Sequence, residues 1–275
     1  MIFARDKSQM CNNLLQYAHV YAWGREHGRK VISMRFSYKY QYFRICHTPL
    51  TGFGWYLFAK YLAALGLLPT ADFKRAECDH EALERKMLRH KHIVVSGWNV
   101  RFYDLFLKYR SEICDLFTID DIYTNTVREK MLKAEGGDNN VVRLGVHIRR
   151  GDYALWKDGI YCYDDETYAR YVNCFVSMYA DKSVHVYLST NDCKVTMEKF
   201  QQLCPNAIIH YLQGCAPEDL FMLSECDYLM GPPSTFSLVA SMYKDIPLCR
   251  MDNVDAENMD ADAFRLFDYW FRRII

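Results

Sequence analysis

Short runs of large apolar residues alternate along the chain with longer segments whose apolar positions recur every three or four residues. The short runs predict strands over Ile2–Arg5, Val31–Phe36, Ile93–Gly97, Val142–Ile148, Val184–Thr190, Ala207–Tyr211, Tyr228–Gly231 and Pro247–Arg250. The longer segments predict helices over Asn12–His27, Arg101–Ile113, Ile119–Ala134, Asp165–Ala180, Lys194–Leu203 and Thr235–Tyr243. Continuous apolar strands separated by helices read as parallel sheets covered on both faces, an α/β protein. The stretch EGGDNN (135–140) interrupts the pattern with two Gly, an Asp and two Asn between a helix and a strand. It marks the boundary between two α/β lobes, 1–138 and 139–275. The closing segment DAFRLFDYWFRRII is amphipathic and is expected to pack back across the lobes.

Composition narrows the class. Apolar residues make up 51% of the 275, enough for a sizeable core. Lys plus Arg (34) equals Asp plus Glu (34), so the overall charge gives no reason to expect nucleic acid as partner. The 11 Cys are scattered, without CxxC pairs or metal-like Cys/His spacing, which favours thiols in a reducing compartment. The amino terminus lacks the apolar core of a signal peptide, and a cytoplasmic protein is the expectation. GFGWYLFAKYLAALGLLP (52–69) comes nearest to a membrane span, but Lys60 interrupts it and Gly and Pro bracket it. It reads as a buried or partly interfacial helix, leaving peripheral membrane contact open.

In open parallel sheets ligands bind at the carboxyl ends of strands, and four such ends carry polar residues. The first is His147-Ile148-Arg149-Arg150-Gly151-Asp152. Alternation puts His147 and Arg149 on one face and turns Arg150 to the other. A guanidinium matches phosphate oxygens bidentately, Gly151 permits a tight turn, and Asp152 can orient an Arg or the His. A turn whose Arg and Asp merely pair with each other explains the same residues. The second is VHVYLSTND (184–192), where Asp192 either reads a guanine edge or caps the next helix. The third is CDYLMGPPSTFSLVASM (226–242): Ser234 or Thr235 opens a helix whose N-terminal N–H groups suit an anion, or is an ordinary cap. The fourth is SQMCNNLLQYAHVYA (8–22), with Asn12 as polar contact or cap. Together they suggest a nucleotide diphosphate site, although neither a GxxxxGK[ST] loop nor a GxGxxG turn occurs.

These residues resemble a family. HIRRGDY (147–153) resembles the signature of the α-1,2-fucosyltransferases, with a close variant in the α-1,6- and protein O-fucosyltransferases. VYLSTND (186–192), EDLFMLSECDYLMGPPSTFSLVAS (218–241) and CNNLLQYAHVYA (11–22) are similar to the family's other motifs, and all stand in family order. The resemblance implies a GT-B-type fold of two Rossmann-like lobes with parallel sheets, the first on the acceptor side and the second holding the nucleotide sugar. It implies GDP-fucose as donor, a glycan acceptor with an α-1,2 linkage favoured, inversion at the anomeric carbon, and no metal or other cofactor. Carried over residue by residue, Arg149 matches the arginine that grips the donor β-phosphate, with His147 and Asp152 as its motif partners. Asp192 matches the carboxylate that reads guanine, Ser234 and Thr235 the phosphate-contacting hydroxyls, and Asn12 the amino-terminal asparagine. Cys11 stands where the family has Gly, Asn13 where it has Gln, Asn191 where it has Asp, and Leu238-Val239 where it has Trp. These departures bear on acceptor and subfamily more than on donor.

For the base, Asp158 in the loop WKDGIY can face an acceptor, or can be a solvated loop residue. Asp164, Asp165 and Glu166 suit the opening of the next helix. Rival readings are a GT-B transferase using another sugar nucleotide, a non-catalytic nucleotide-binding relative, and an Arg-Gly-Asp adhesion loop. The last conflicts with a tripeptide that leaves a buried strand directly.

Overall fold

A computed structural model describes residues 1–5, 8–137 and 140–274. The chain forms two compact units, 1–120 and 121–275. The cut anticipated after residue 138 falls outside the described residues.

The first unit contains β1 (Ile2–Arg5), α1 (Met10–Glu26), β2 (Val31–Ser33), α2 (Phe53–Ala64), β3 (Thr70–Asp72), α3 (His80–Arg89), β4 (Ile93–Ser96), α4 (Tyr103–Lys108) and α5 (Arg110–Leu116). Its strands pair in parallel in the order β2-β1-β4-β3. Phe3, Ile32 and Val94 of this sheet, with Met34 just past β2, pack with Ala59 of α2 and with Leu68. The helix expected over 101–113 is two short helices that meet at Tyr109. β3 is three residues long, too short to show an alternation, and the sequence pattern did not reveal it.

The second unit contains α6 (Asp121–Glu135), β5 (Val141–Ile148), α7 (Asp165–Met178), β6 (Ser183–Thr190), α8 (Met197–Leu203), β7 (Ile208–His210), α9 (Ala216–Ser224), β8 (Tyr228–Gly231), α10 (Thr235–Lys244), β9 (Leu248–Arg250), β10 (Phe264–Arg265) and α11 (Phe267–Phe271). The sheet order is β10-β9-β8-β5-β6-β7, parallel except for β10. α6 belongs here: the Arg128 guanidinium lies 4.8 Å from the Phe221 ring centroid, and Glu135 binds Arg143. The closing segment also stays with this unit, as β10 pairs antiparallel with β9 and the Trp270 indole donates to the Leu248 carbonyl at 2.7 Å.

The two faces of the central strands differ. Val142, Leu144, Val146 and Ile148 of β5, with Val184, Val186 and Leu188 of β6, pack against Tyr168, Val172 and Phe175 of α7. The register pairs Arg143 with His185, Gly145 with Tyr187 and His147 with Ser189, so the opposite face is polar. Each of these polar groups finds a partner as burial requires, save one: His147 Nδ1 has none.

Candidate active site

The carboxyl ends of β5, β6 and β8 lie side by side and bring three of the sequence motifs together. His147, next to last in β5, lies beside Gly231 of β8, where a Cβ would stand 2.7 Å from the His147 carbonyl oxygen. His147 itself is buried, with its ring centroid 5.1 Å from that of Phe236 at the start of α10. Burial, with the Arg149 charge nearby, depresses its pKa to about 3, so the ring is neutral.

Arg149 and Arg150 part as alternation requires. An Arg149 terminal nitrogen pairs with Asp152 at 2.9 Å, so Asp152 orients the Arg and not the His. The Arg149 guanidinium also lies 5.7 Å from the Tyr153 ring centroid, and the Tyr153 hydroxyl donates to the Pro233 carbonyl at 2.6 Å. Tyr153 thus ties the Arg149 turn to the turn that opens α10. Ser234 caps that helix, its hydroxyl accepting from the Phe236 N–H at 3.2 Å, with Thr235 as the first helical residue. A half-exposed guanidinium and a capped helix N-terminus held by one tyrosine form an arrangement suited to a diphosphate.

Arg150 is anchored inward. Its guanidinium pairs with Asp192 at 3.2 Å and with the buried Asp165, and donates to the Tyr163 carbonyl at 3.0 Å. Lys199 also reaches Asp165, at 2.6 Å. Asp192 accepts in addition from the Lys194 N–H at 3.0 Å; that bond, with Arg150 behind it, holds the carboxyl below its usual range. Asp192 does not cap the following helix, which starts later than expected, at Met197, with Thr196 as its cap. Asp164 does cap α7, accepting from the Thr167 N–H at 2.8 Å.

The remaining candidates lie on other elements. Asp158 is exposed on a turn where Lys157, Asp158 and Gly159 all have positive φ. Asn12 belongs to the first unit; its amide donates to the Ser8 hydroxyl at 2.9 Å, and α1 begins before it, so it is not the cap. Asn191 was noted in the sequence only as a departure from the family motif, and Asp219 was not singled out at all. Asn191 binds the Arg150 backbone at both ends, and Asp219 of α9 accepts from Ser189 at 2.8 Å behind the strand ends. Asp219 follows Pro217 and Glu218 in a helix start, where acids are ordinary, so its partial burial left no signal. No group of three or more His, Cys, Asp or Glu side chains that could hold a metal ion occurs among the described residues.

Residues 78–266, about two thirds of the chain, match the family model of Glycosyl transferase family 11. Among curated proteins no sequence matches. An arginine-to-lysine mutant of FUT1 from Arabidopsis thaliana, solved in complex with GDP, is similar with a TM-score of 0.64 at 12% identity, over 96% of this chain and 73% of that one. The fucosyltransferase NodZ from Bradyrhizobium is similar with a TM-score of 0.55 at 13% identity, over 92% and 98%. POFUT1 in complex with GDP-fucose gives a TM-score of 0.58 at 10% identity, over 89% and 94%. The fold is that of the GT-B-like fucosyltransferases.

Proposed function

The chain belongs to glycosyl transferase family 11, and we propose that it transfers fucose from GDP-fucose to a glycan hydroxyl, forming an α-1,2 linkage with inversion and without a metal. The observation that carries this reading is the Arg149–Asp152 pair at the end of β5, joined through Tyr153 to the N-terminus of α10. The GDP and GDP-fucose bound by the similar structures support the donor.

In the proposed reaction the acceptor oxygen bonds to the fucosyl anomeric carbon as the bond to the β-phosphate oxygen breaks. The acceptor proton passes to a base, and GDP leaves with the bonding electron pair. Negative charge grows on the β-phosphate, where Arg149 and the helix N-terminus stabilise it. The neutral His147 packs beneath and adds no charge. Asp158, exposed on the loop beyond the clamp, is the candidate base.

Thermal shift against a nucleotide panel, followed by a transfer assay, tests the reading. GDP and GDP-fucose should raise the Tm, and UDP, ADP and CMP derivatives should not. Stabilisation by a different nucleotide diphosphate would replace the donor. Full activity in Asp158→Asn across the pH profile removes Asp158 as base.

A further inference from the structure

α2 presents the wrong side chains to water. It packs Ala59 inward, while Phe53 (55% exposed), Phe58, Tyr61 (59%) and, just past its end, Leu65 (71%) and Leu67 (69%) face out. A helix on a soluble surface carries a polar outward stripe. Here the one charged residue on the helix is Lys60, set 5.7 Å from the Tyr56 and 5.8 Å from the Tyr61 ring centroids. The aromatic contacts extend beyond the helix. Tyr56 lies 4.7 Å from Tyr38, whose ring carries the Arg35 guanidinium at 5.7 Å, and Trp55 and Phe58 pair at 5.9 Å.

The charge along this part of the sequence is one-sided although the whole chain is balanced. Between Glu26 and Asp72 no acidic residue occurs, whereas Arg29, Lys30, Arg35, Lys39, Arg44 and Lys60 do. Arg44 is paired with Asp115, and Arg29 is bound to backbone carbonyls. Lys30, Arg35, Lys39 and Lys60 belong to the same acid-less stretch as the aromatic patch.

We propose that this face of the first unit is a membrane-docking surface that lies on a bilayer containing anionic lipid. Exposed Trp and Tyr suit the headgroup level, where an apolar ring and a polar tip are both accommodated. Lys60 extends its stem over the rings and places its ammonium among the phosphates. A second copy of the chain fits less well. Two-fold pairing would set Lys60 and Arg35 against the same cations, with no acid in that stretch of sequence to answer them. A lipid surface supplies the missing anions. The helix is too short to span, and no described helix is long and apolar enough to cross a membrane, so the contact is peripheral.

Flotation of the full chain with phosphatidylcholine vesicles, with and without phosphatidylglycerol, tests this. The protein should float with the anionic vesicles, and brominated lipid should quench a fluorescence component that Trp55→Phe removes. Lys60→Glu should weaken binding to anionic vesicles by on the order of tenfold. Phe53→Ser/Tyr61→Ser/Leu65→Ser should abolish flotation while leaving the Tm within a few degrees. A wild-type protein that floats with neither vesicle overturns the proposal. If it also sediments as a dimer that Leu65→Glu dissociates, the face is a self-association surface. The inference is independent of the donor assignment, and neither readout uses nucleotide.

Discussion

Asn191 holds the backbone of Arg150 at both ends: its Oδ1 accepts from the Arg150 N–H at 2.8 Å and its Nδ2 donates to the Arg150 carbonyl at 3.1 Å. The contact continues the β5–β6 ladder one step beyond the strands, which end at Ile148 and Thr190. A carboxamide offers a donor and an acceptor on one planar group, whereas an ionised carboxylate only accepts, so Asp at this position could not make both bonds. Asn191→Asp should lower stability by about 1–2 kcal/mol, since one bond is lost and two acceptors face each other. Denaturant midpoints compared with Asn191→Ala check this. If the Asp variant is as stable as the wild type, the two-ended contact contributes nothing.

The two arginines of the motif should fail differently. Arg149→Ala should leave the Tm near that of the wild type and reduce turnover with GDP-fucose by roughly two to three orders of magnitude, the loss expected for one preorganised donor. Arg150→Ala strands the buried Asp165 with only Lys199 beside it. It should cost roughly 2–4 kcal/mol of stability. A turnover assay and a melting curve on both variants separate the roles, and equal losses in both readouts would contradict the division.

That division was legible in the sequence because strand alternation is strict: His147 and Arg149 share a face, and Arg150 turns away. The parallel sheet and its strand ends were legible too, since β5 and β6 are eight-residue segments rich in Val and Leu that run into polar turns. What escaped was long-range. Nothing near Asp165 or Asp192 in sequence announces that both converge on Arg150, and an acid at a helix start looks the same whether capping or buried. α9 escaped as a helix because its nine residues are buried on nearly every side and carry little periodicity. α6 was legible as a helix but not in its allegiance, which rests on Arg143 lying eight residues beyond Glu135.

The depressed pKa of His147 predicts an acid limb in stability. Its ordinary value is about 6.5, and in the folded protein burial and Arg149 bring it to about 3. Between those values the unfolded chain binds a proton that the folded chain does not. Stability is therefore fully present above pH 6.5 and is lost as pH falls, by up to about 1.4 kcal/mol per pH unit. His147→Phe removes this titration, so its stability relative to wild type should rise steadily as the pH is lowered. A pH-independent difference in denaturant midpoint would show that the ring is not held neutral.

Asp219 should act with the opposite sign. Burial raises its carboxyl from about 3.9 in the unfolded chain to about 7 in the folded one, against the Ser189 hydroxyl that donates to it. From pH 4 to 7 the folded protein holds a proton that the unfolded chain has released. This contribution is therefore present below pH 4 and lost as pH rises, again by up to about 1.4 kcal/mol per pH unit. Over much of the acid range the His147 and Asp219 slopes cancel, and the wild-type profile should look flatter than either group alone would make it. Asp219→Asn keeps an acceptor for Ser189 and cannot ionise. Its stability relative to wild type should climb between pH 4 and 7 and then level off, steepening the acid limb that His147 leaves behind. Urea midpoints of wild type, Asp219→Asn, His147→Phe and the double variant across this range decide the matter. If the Asp219→Asn difference does not change with pH, the carboxyl is ionised beneath the strand ends and the assignment of a partly buried neutral acid is wrong.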